Sequence, residues 1–224
     1  MFLDLTFDLR SLTSKKRGRY RGFTLLEVLV VVGIIALLLV AVIPAVTSLS
    51  KSSGGKAAVS NLMNVFEQAH SLALTSGSAT YVVFADQTTP NAYRCKAYVI
   101  FQEDKTTFAP VAITKWYFLP NGISFQPGTG LLTPQSGAPR ITFSCPGTMG
   151  SAPRELPFIK FDSTGMVATP TDSTTLFVKV FSGSVDAGGQ ASFTDQQQRT
   201  TGKLDQVAIA KFTGRVRYVD PYSG

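Results

Sequence analysis

Three hydrophobic patterns follow one another along the 224-residue chain. The first is continuous: Phe23 to Val46 reads FTLLEVLVVVGIIALLLVAVIPAV, with Glu27 as its sole charged residue and no polar stripe. Its length matches the roughly 20 apolar residues that carry a helix across a bilayer, whereas a surface helix of a globular domain shows a polar face. The β-branched residues do not oppose a helix, because in lipid every backbone N–H and C=O must be paired within the segment. The pattern predicts a transmembrane helix over 23–46. Gly33 adds local flexibility, and Pro44 predicts a kink or local melting, since a helix-interior proline removes one backbone bond and clashes with the carbonyl of residue 40.

The second pattern is periodic. Beyond the Ser/Gly/Lys stretch Thr47 to Gly55, Val59, Leu62, Met63, Phe66, Ala69, Leu72 and Ala73 recur at three- and four-residue intervals, with Lys56, Ser60, Asn61, Asn64, Glu67, Gln68 and Ser71 largely opposite. This predicts an amphipathic helix within 47–77, with Gly54-Gly55 able to interrupt it and Ser76-Gly77 as its stop.

The third pattern is a set of short alternating runs bounded by turn residues, the signature of strands. They fall at 79–85, 93–101, 113–118, 123–125, 140–143, 157–161, 176–181, 206–212 and 215–218. Gly/Pro-rich loops separate them at Pro127 to Pro139 and Pro146 to Pro153, and Gly183 to Lys203 reads as a mobile polar excursion. The fold class that results is α+β: a long N-terminal helix, first apolar and then amphipathic, packed on a twisted, mainly antiparallel β domain. No repeat and no second globular domain is evident.

Composition agrees, with 44% hydrophobic, 11% aromatic and only 16% charged residues, enough apolar material for one sizeable core. The net charge of +7 loses its suggestion of nucleic acid once located. Residues 1–22 hold six basic and two acidic residues, hence +4, leaving +3 for the rest. The basic cluster Lys15 to Arg21 precedes the apolar run and only Lys51 and Lys56 follow soon after, so the positive-inside rule puts the N-terminus in the cytoplasm and the β domain on the far side. A secretory signal peptide is the rival, but it has a shorter apolar run ending in a small-residue cleavage site.

Gly22-Phe23-Thr24-Leu25-Leu26-Glu27 resembles the type III signal of prepilins and pseudopilins: a basic leader ending in Gly, an apolar first mature residue, and Glu as the fifth. The resemblance implies that prepilin peptidase cuts between Gly22 and Phe23 and N-methylates Phe23. It further implies that Glu27 neutralises the N-terminal amine of a neighbouring subunit during filament assembly. A carboxylate inside hydrocarbon is costly and persists where a partner awaits it, which by itself marks Glu27 as a functional candidate; snorkelling at the membrane edge is the plainer alternative. Pro44 matches a proline common in the family. The implied plan is a cleaved leader (1–22), a transmembrane assembly helix (23–46), the soluble half of a pilin helix (47–77) and an extracytoplasmic β-rich domain (78–224).

The C-terminal part is similar to H-type pseudopilins and related minor pilins. Phe161-Asp162-Ser163-Thr164-Gly165 resembles their FDxxG turn, and Thr213-Gly214-Arg215-Val216 their final TGRV hairpin. Two cysteines, Cys95 and Cys145, lie in the segment assigned outside the cytoplasm. An even count there favours a disulfide, worth on the order of 3 to 4 kcal/mol for a loop of about 50 residues; two buried free thiols are the alternative.

Nothing points to catalysis or a cofactor. His70 is the single histidine, on a helix face, and no HExxH, CxxC, P-loop or GxSxG pattern occurs. Asp162, Asp172, Asp186 and Asp195 are scattered without the convergent spacing of a metal site, and none is assigned. Lys203, Lys211, Arg215 and Arg217 gather near the C-terminus and, with minor pilins of DNA uptake in mind, form a candidate phosphate-binding surface against an ordinary solvated hairpin. The expected protein is a single-pass inner-membrane filament subunit, non-enzymatic and free of cofactors. Its partners are other pilin or pseudopilin subunits, prepilin peptidase, an inner-membrane assembly platform and membrane lipid, with DNA less favoured. A signal-anchored envelope protein whose β domain binds a ligand is the competing class.

Overall fold

A computed structural model describes residues 24–127, 140–149, 153–169 and 175–221, the side chains of 40–53 and 148 excepted. The expected loop at 128–139 and part of that at 146–153 lie outside these residues. The chain divides into two units, Met1–Val46 and Thr47–Gly224.

Helix α1 takes in Leu25–Ser76. In the first unit, Thr24 opens it: its Oγ1 accepts the backbone N–H of Glu27 at 3.2 Å, an N-terminal cap. Described side chains from Leu25 to Leu39 are exposed. Among the described residues no helix is long and apolar enough to cross a membrane.

In the second unit most of the predicted stripe is buried: Val59, Leu62, Phe66, Ala69 and Ala73 face the core, joined by Ala58 and Val65, whereas Met63 and Leu72 are only half-buried. Gly77 at φ +65° ends the helix with its N–H on the carbonyl of Ala73. Gly54-Gly55 does not interrupt it. Gly55 is buried, and a Cβ there would strike the Asp205 carboxylate, so the glycine lets the helix pass close to the sheet.

Two antiparallel sheets receive that stripe. In the first, β1 (Thr80–Phe84) lies between β2 (Ala97–Glu103) and β7 (Arg154–Phe161). Strands β3 (Pro110–Ala112) and β4 (Tyr117–Phe118) pair with β2, while β6 (Arg140–Phe143) and β8 (Val167–Thr169) pair with β7. In the second sheet β9 (Thr175–Val185) joins β5 (Ile123–Phe125), β10 (Ala191–Phe193) and β11 (Asp205–Ala210), and β12 (Val216–Val219) forms an edge beside β11. Val82, Phe84, Tyr98, Ile100, Ile159 and Phe161 of the first sheet and Val178, Val180, Val207 and Ile209 of the second close one core with α1.

The first sheet is also buried on its other face. Tyr81, Val83, Val99, Phe101, Phe143, Leu156 and Phe158 form a second cluster, with Trp116 and Cys145 against it. The long middle of the chain supplies that cover, and Trp116 donates its Nε1–H to the Pro146 carbonyl at 2.9 Å. This explains why β1 reads as an unbroken apolar run rather than an alternation.

Three expectations are corrected. The strand at 93–101 begins only at Ala97, because Pro90 sets a turn in which Tyr93 and Arg94 both donate to its carbonyl, at 2.8 and 3.0 Å. The run 113–118 is not one strand: the Thr114 hydroxyl replaces a ladder bond by accepting the Ile100 N–H at 3.1 Å, and only Tyr117–Phe118 pair.

The segment Gly183 to Lys203 is not a mobile excursion. It holds the end of β9, β10 and a short helix α2 (Gln196–Thr201), capped by Asp195, which accepts from Gln197 at 2.8 Å. Buried Gln198 anchors it by accepting the Ser182 N–H at 2.8 Å, and Phe193 packs on Phe181 with ring centres 4.7 Å apart. Two side chains thus tie a polar sequence to the sheet.

Candidate functional site

The N-terminal candidates begin with the first turn of α1. Gly22 and Phe23 lie outside the described residues, as does the side chain of Pro44. Glu27 is exposed on the first turn, where a carboxylate also favours the helix dipole. Thr24-x-x-Glu27 has the residue pattern of a capping box, and its Thr half is formed. Thr24 therefore starts the helix, a role that its spacing to Glu27 announces. Around Glu27 the side chains Leu25, Leu26, Val28 and Leu29 are between 52% and 83% exposed.

The two C-terminal motifs meet on the helix. In the Asp162 turn, Oδ1 accepts the backbone N–H of Thr164 at 2.8 Å and of Met166 at 3.1 Å. Burial alone would raise its pKa, but these donors and the Thr164 hydroxyl outweigh it and hold the carboxyl below its ordinary value. Gly165 at φ +80° and Gly214 at φ +62° both lie against His70, so that a Cβ on either would overlap its ring. The Val167 N–H donates to the Lys211 carbonyl at 2.8 Å, joining the two turns, and His70 meets Phe161 edge-on with ring centres 6.0 Å apart. His70 is thus a packing post for both glycines, a role invisible while the motifs are read separately.

The four cations are not one cluster. Val216 and Tyr218 pack toward the core, which turns Arg215 and Arg217 to the exposed side of β12, with Lys211 at the hairpin turn. Lys203 precedes β11 at its opposite end, a strand length of roughly 20 Å away. The same hairpin is tethered by the Tyr218 hydroxyl, which donates to Asp205 at 2.8 Å.

Both cysteines are free thiols, so the expected Cys95–Cys145 bond is absent. Cys95 belongs to the helix-side cluster, whereas Cys145 packs with the clusters of the opposite face. Burial, then the nearby Asp86 carboxylate, pushes the Cys95 thiol up to about 12; burial also raises that of Cys145. Both are poor nucleophiles.

Two polar ties of the first sheet escaped sequence reasoning. Arg140 and fully buried Asp86 form an ion pair at 2.8 Å across 54 residues of chain. Glu103 accepts the Tyr81 hydroxyl at 2.7 Å and Lys160 at 3.2 Å; the tyrosine bond chiefly holds its carboxyl below the ordinary value. Among the described residues no group of His, Cys, Asp and Glu is placed to hold a metal ion.

Residues 17–43 match the model of the prokaryotic N-terminal methylation motif. By this segment the chain carries the prokaryotic N-terminal methylation motif, which overlaps the start of α1. No curated protein matches the chain. Solved structures similar to it include the minor pseudopilin EpsH of the Vibrio cholerae type 2 secretion system, 13% identical with a TM-score of 0.41, covering 75% of this chain and 98% of that one. The type IV minor pilin FimU of Pseudomonas aeruginosa is 10% identical with a TM-score of 0.44, covering 77% and 93%.

Proposed function

We propose that this chain is a structural, non-enzymatic subunit of a filament of the type IV pilus or type II secretion kind, anchored in the inner membrane before assembly. The observation that carries this is the register between the methylation motif at residues 17–43 and the helix start, which puts the lone acid Glu27 in the first turn of an apolar, uncovered segment. Apolar surface exposed on all sides requires lipid or other helices. Prepilin peptidase removes residues 1–22 and methylates Phe23, and the run 23–46 holds the chain in the bilayer with the β domain outside the cytoplasm. An assembly platform then draws it into the filament. Glu27 is neutralised there by the freed amine of a neighbouring copy.

The test is the N-terminal mass of the protein extracted from its own membranes. It begins at Phe23 and carries one additional methyl group; a chain that begins intact at Met1 overturns the assignment. DNA binding is the weaker reading, supported only by Arg215 and Arg217 on one exposed strand face, since Lys203 stands apart from them.

A further inference from the structure

We propose that Phe108 of one copy seats in the groove between α1 and β12 of a second copy of this chain, so that β domains follow one another head to tail. The inference rests on the filament reading and adds to it a contact outside the apolar helix.

Phe108 stands in the β2–β3 turn at φ +56°, a conformation rare for a bulky residue, with 72% of its surface exposed. It belongs to none of the buried clusters, so core packing does not account for it. The turn holds it there: Asp104 accepts the backbone N–H of Thr106 and Thr107, each at 2.8 Å, and its carbonyl takes the Phe108 N–H at 2.9 Å. Strain maintained by the surrounding structure around an exposed aromatic is a reason to look for what that aromatic meets.

The groove has a volume of about 250 Å³, with Val59, Ser60, Met63 and Tyr218 among its lining residues and Lys56 and Glu67 bracketing it along the helix. An apolar cavity of about 150 Å³ accepts benzene, so one phenyl ring has room. Charge permits the contact: exposed Asp104 and Lys105 stand in the Phe108 turn and exposed Lys56 and Glu67 flank the groove, so each patch carries one charge of either sign for the other to pair with. Phe108 borders a cleft with Gly77 and Ser78 at the C-terminal end of α1, whereas the groove lies at 56–67, roughly 20 Å back along the helix. A contact between two different patches of one protein propagates instead of closing as a two-fold dimer, which suits a helical filament.

The test places photoreactive benzoylphenylalanine at position 108 of the full chain, in membranes of cells that hold its assembly machinery. The expected product is a crosslinked dimer whose adduct maps within 56–67 or on Tyr218. Ser60→Trp, which fills the groove from an exposed position, lowers its yield by about tenfold or more. An adduct to another protein or to a different segment of the second copy overturns the proposal, as does a dimer undiminished by Ser60→Trp. The N-terminal mass of the same sample separates the two ideas: a start at Phe23 without the adduct removes only this contact, whereas a start at Met1 removes the filament reading itself.

Discussion

Residues 25–39 and 56–76 are both helical and both rich in apolar side chains, yet the structure treats them in opposite ways. The earlier segment is apolar on every side, and its described side chains are exposed. The later one restricts its apolar residues to one stripe, and that stripe is buried against two sheets. Helix propensity does not distinguish them; the angular distribution of polar residues does. A segment without a polar face is left for a solvent or partner that the chain itself does not supply, while a segment with one is committed to its own core.

The largest effects come from exchanging these roles. Phe66→Ala, in the buried stripe, should cost about 3–5 kcal/mol by opening a cavity, read as a lower urea midpoint for the full chain in detergent. Leu38→Ala should leave that midpoint unchanged. An equal loss from both would erase the distinction. Processing sharpens it from the other side. Gly22→Ala should keep the leader attached, whereas Glu27→Ala should be cleaved normally yet fail to enter filaments, scored by N-terminal mass and by the sheared filament fraction. Normal assembly of Glu27→Ala would remove the charge-pair role.

A smaller effect tests how the later helix is held. Gly165→Ala should cost about 1–3 kcal/mol, from its positive φ and the overlap with His70. His70→Ala in the same chain should recover part of that loss, and strict additivity would show that His70 is not the obstacle.

Smallest is the pH response of the first sheet. Glu103 and Asp162 have folded pKa values below their ordinary 4.5 and 3.8. Their contribution is present above those ordinary values and lost as pH falls through the lowered ones. Acid unfolding followed by fluorescence should therefore begin below about pH 4.5. Glu103→Gln should reduce the dependence by well under 1 kcal/mol, as its partners are partly solvated.

How far the sequence could be read depends on the range of the interaction concerned. The stripe from Val59 to Ala73, the stop at Gly77 and the Asp162 turn all rest on neighbours within a few residues, and each was legible. The strand at 93–101 was overextended because alternation survives into a turn that Pro90 redirects. Gly183 to Lys203 looked mobile because its two anchors, Gln198 and Phe193, find their partners through tertiary placement. The cysteine count was silent on which sheet face each thiol would occupy.

Sequence alone therefore determined the apolar segment with its single acid, the methylation motif that overlaps it, and the amphipathic helix, because each is a matter of composition, periodicity or adjacency. Tertiary structure decided that the first sheet is buried on both faces, that Asp86 meets Arg140, and that Gly165 and Gly214 converge on His70. Those pairings join residues tens of positions apart, and only the folded path of the backbone brings them within contact distance.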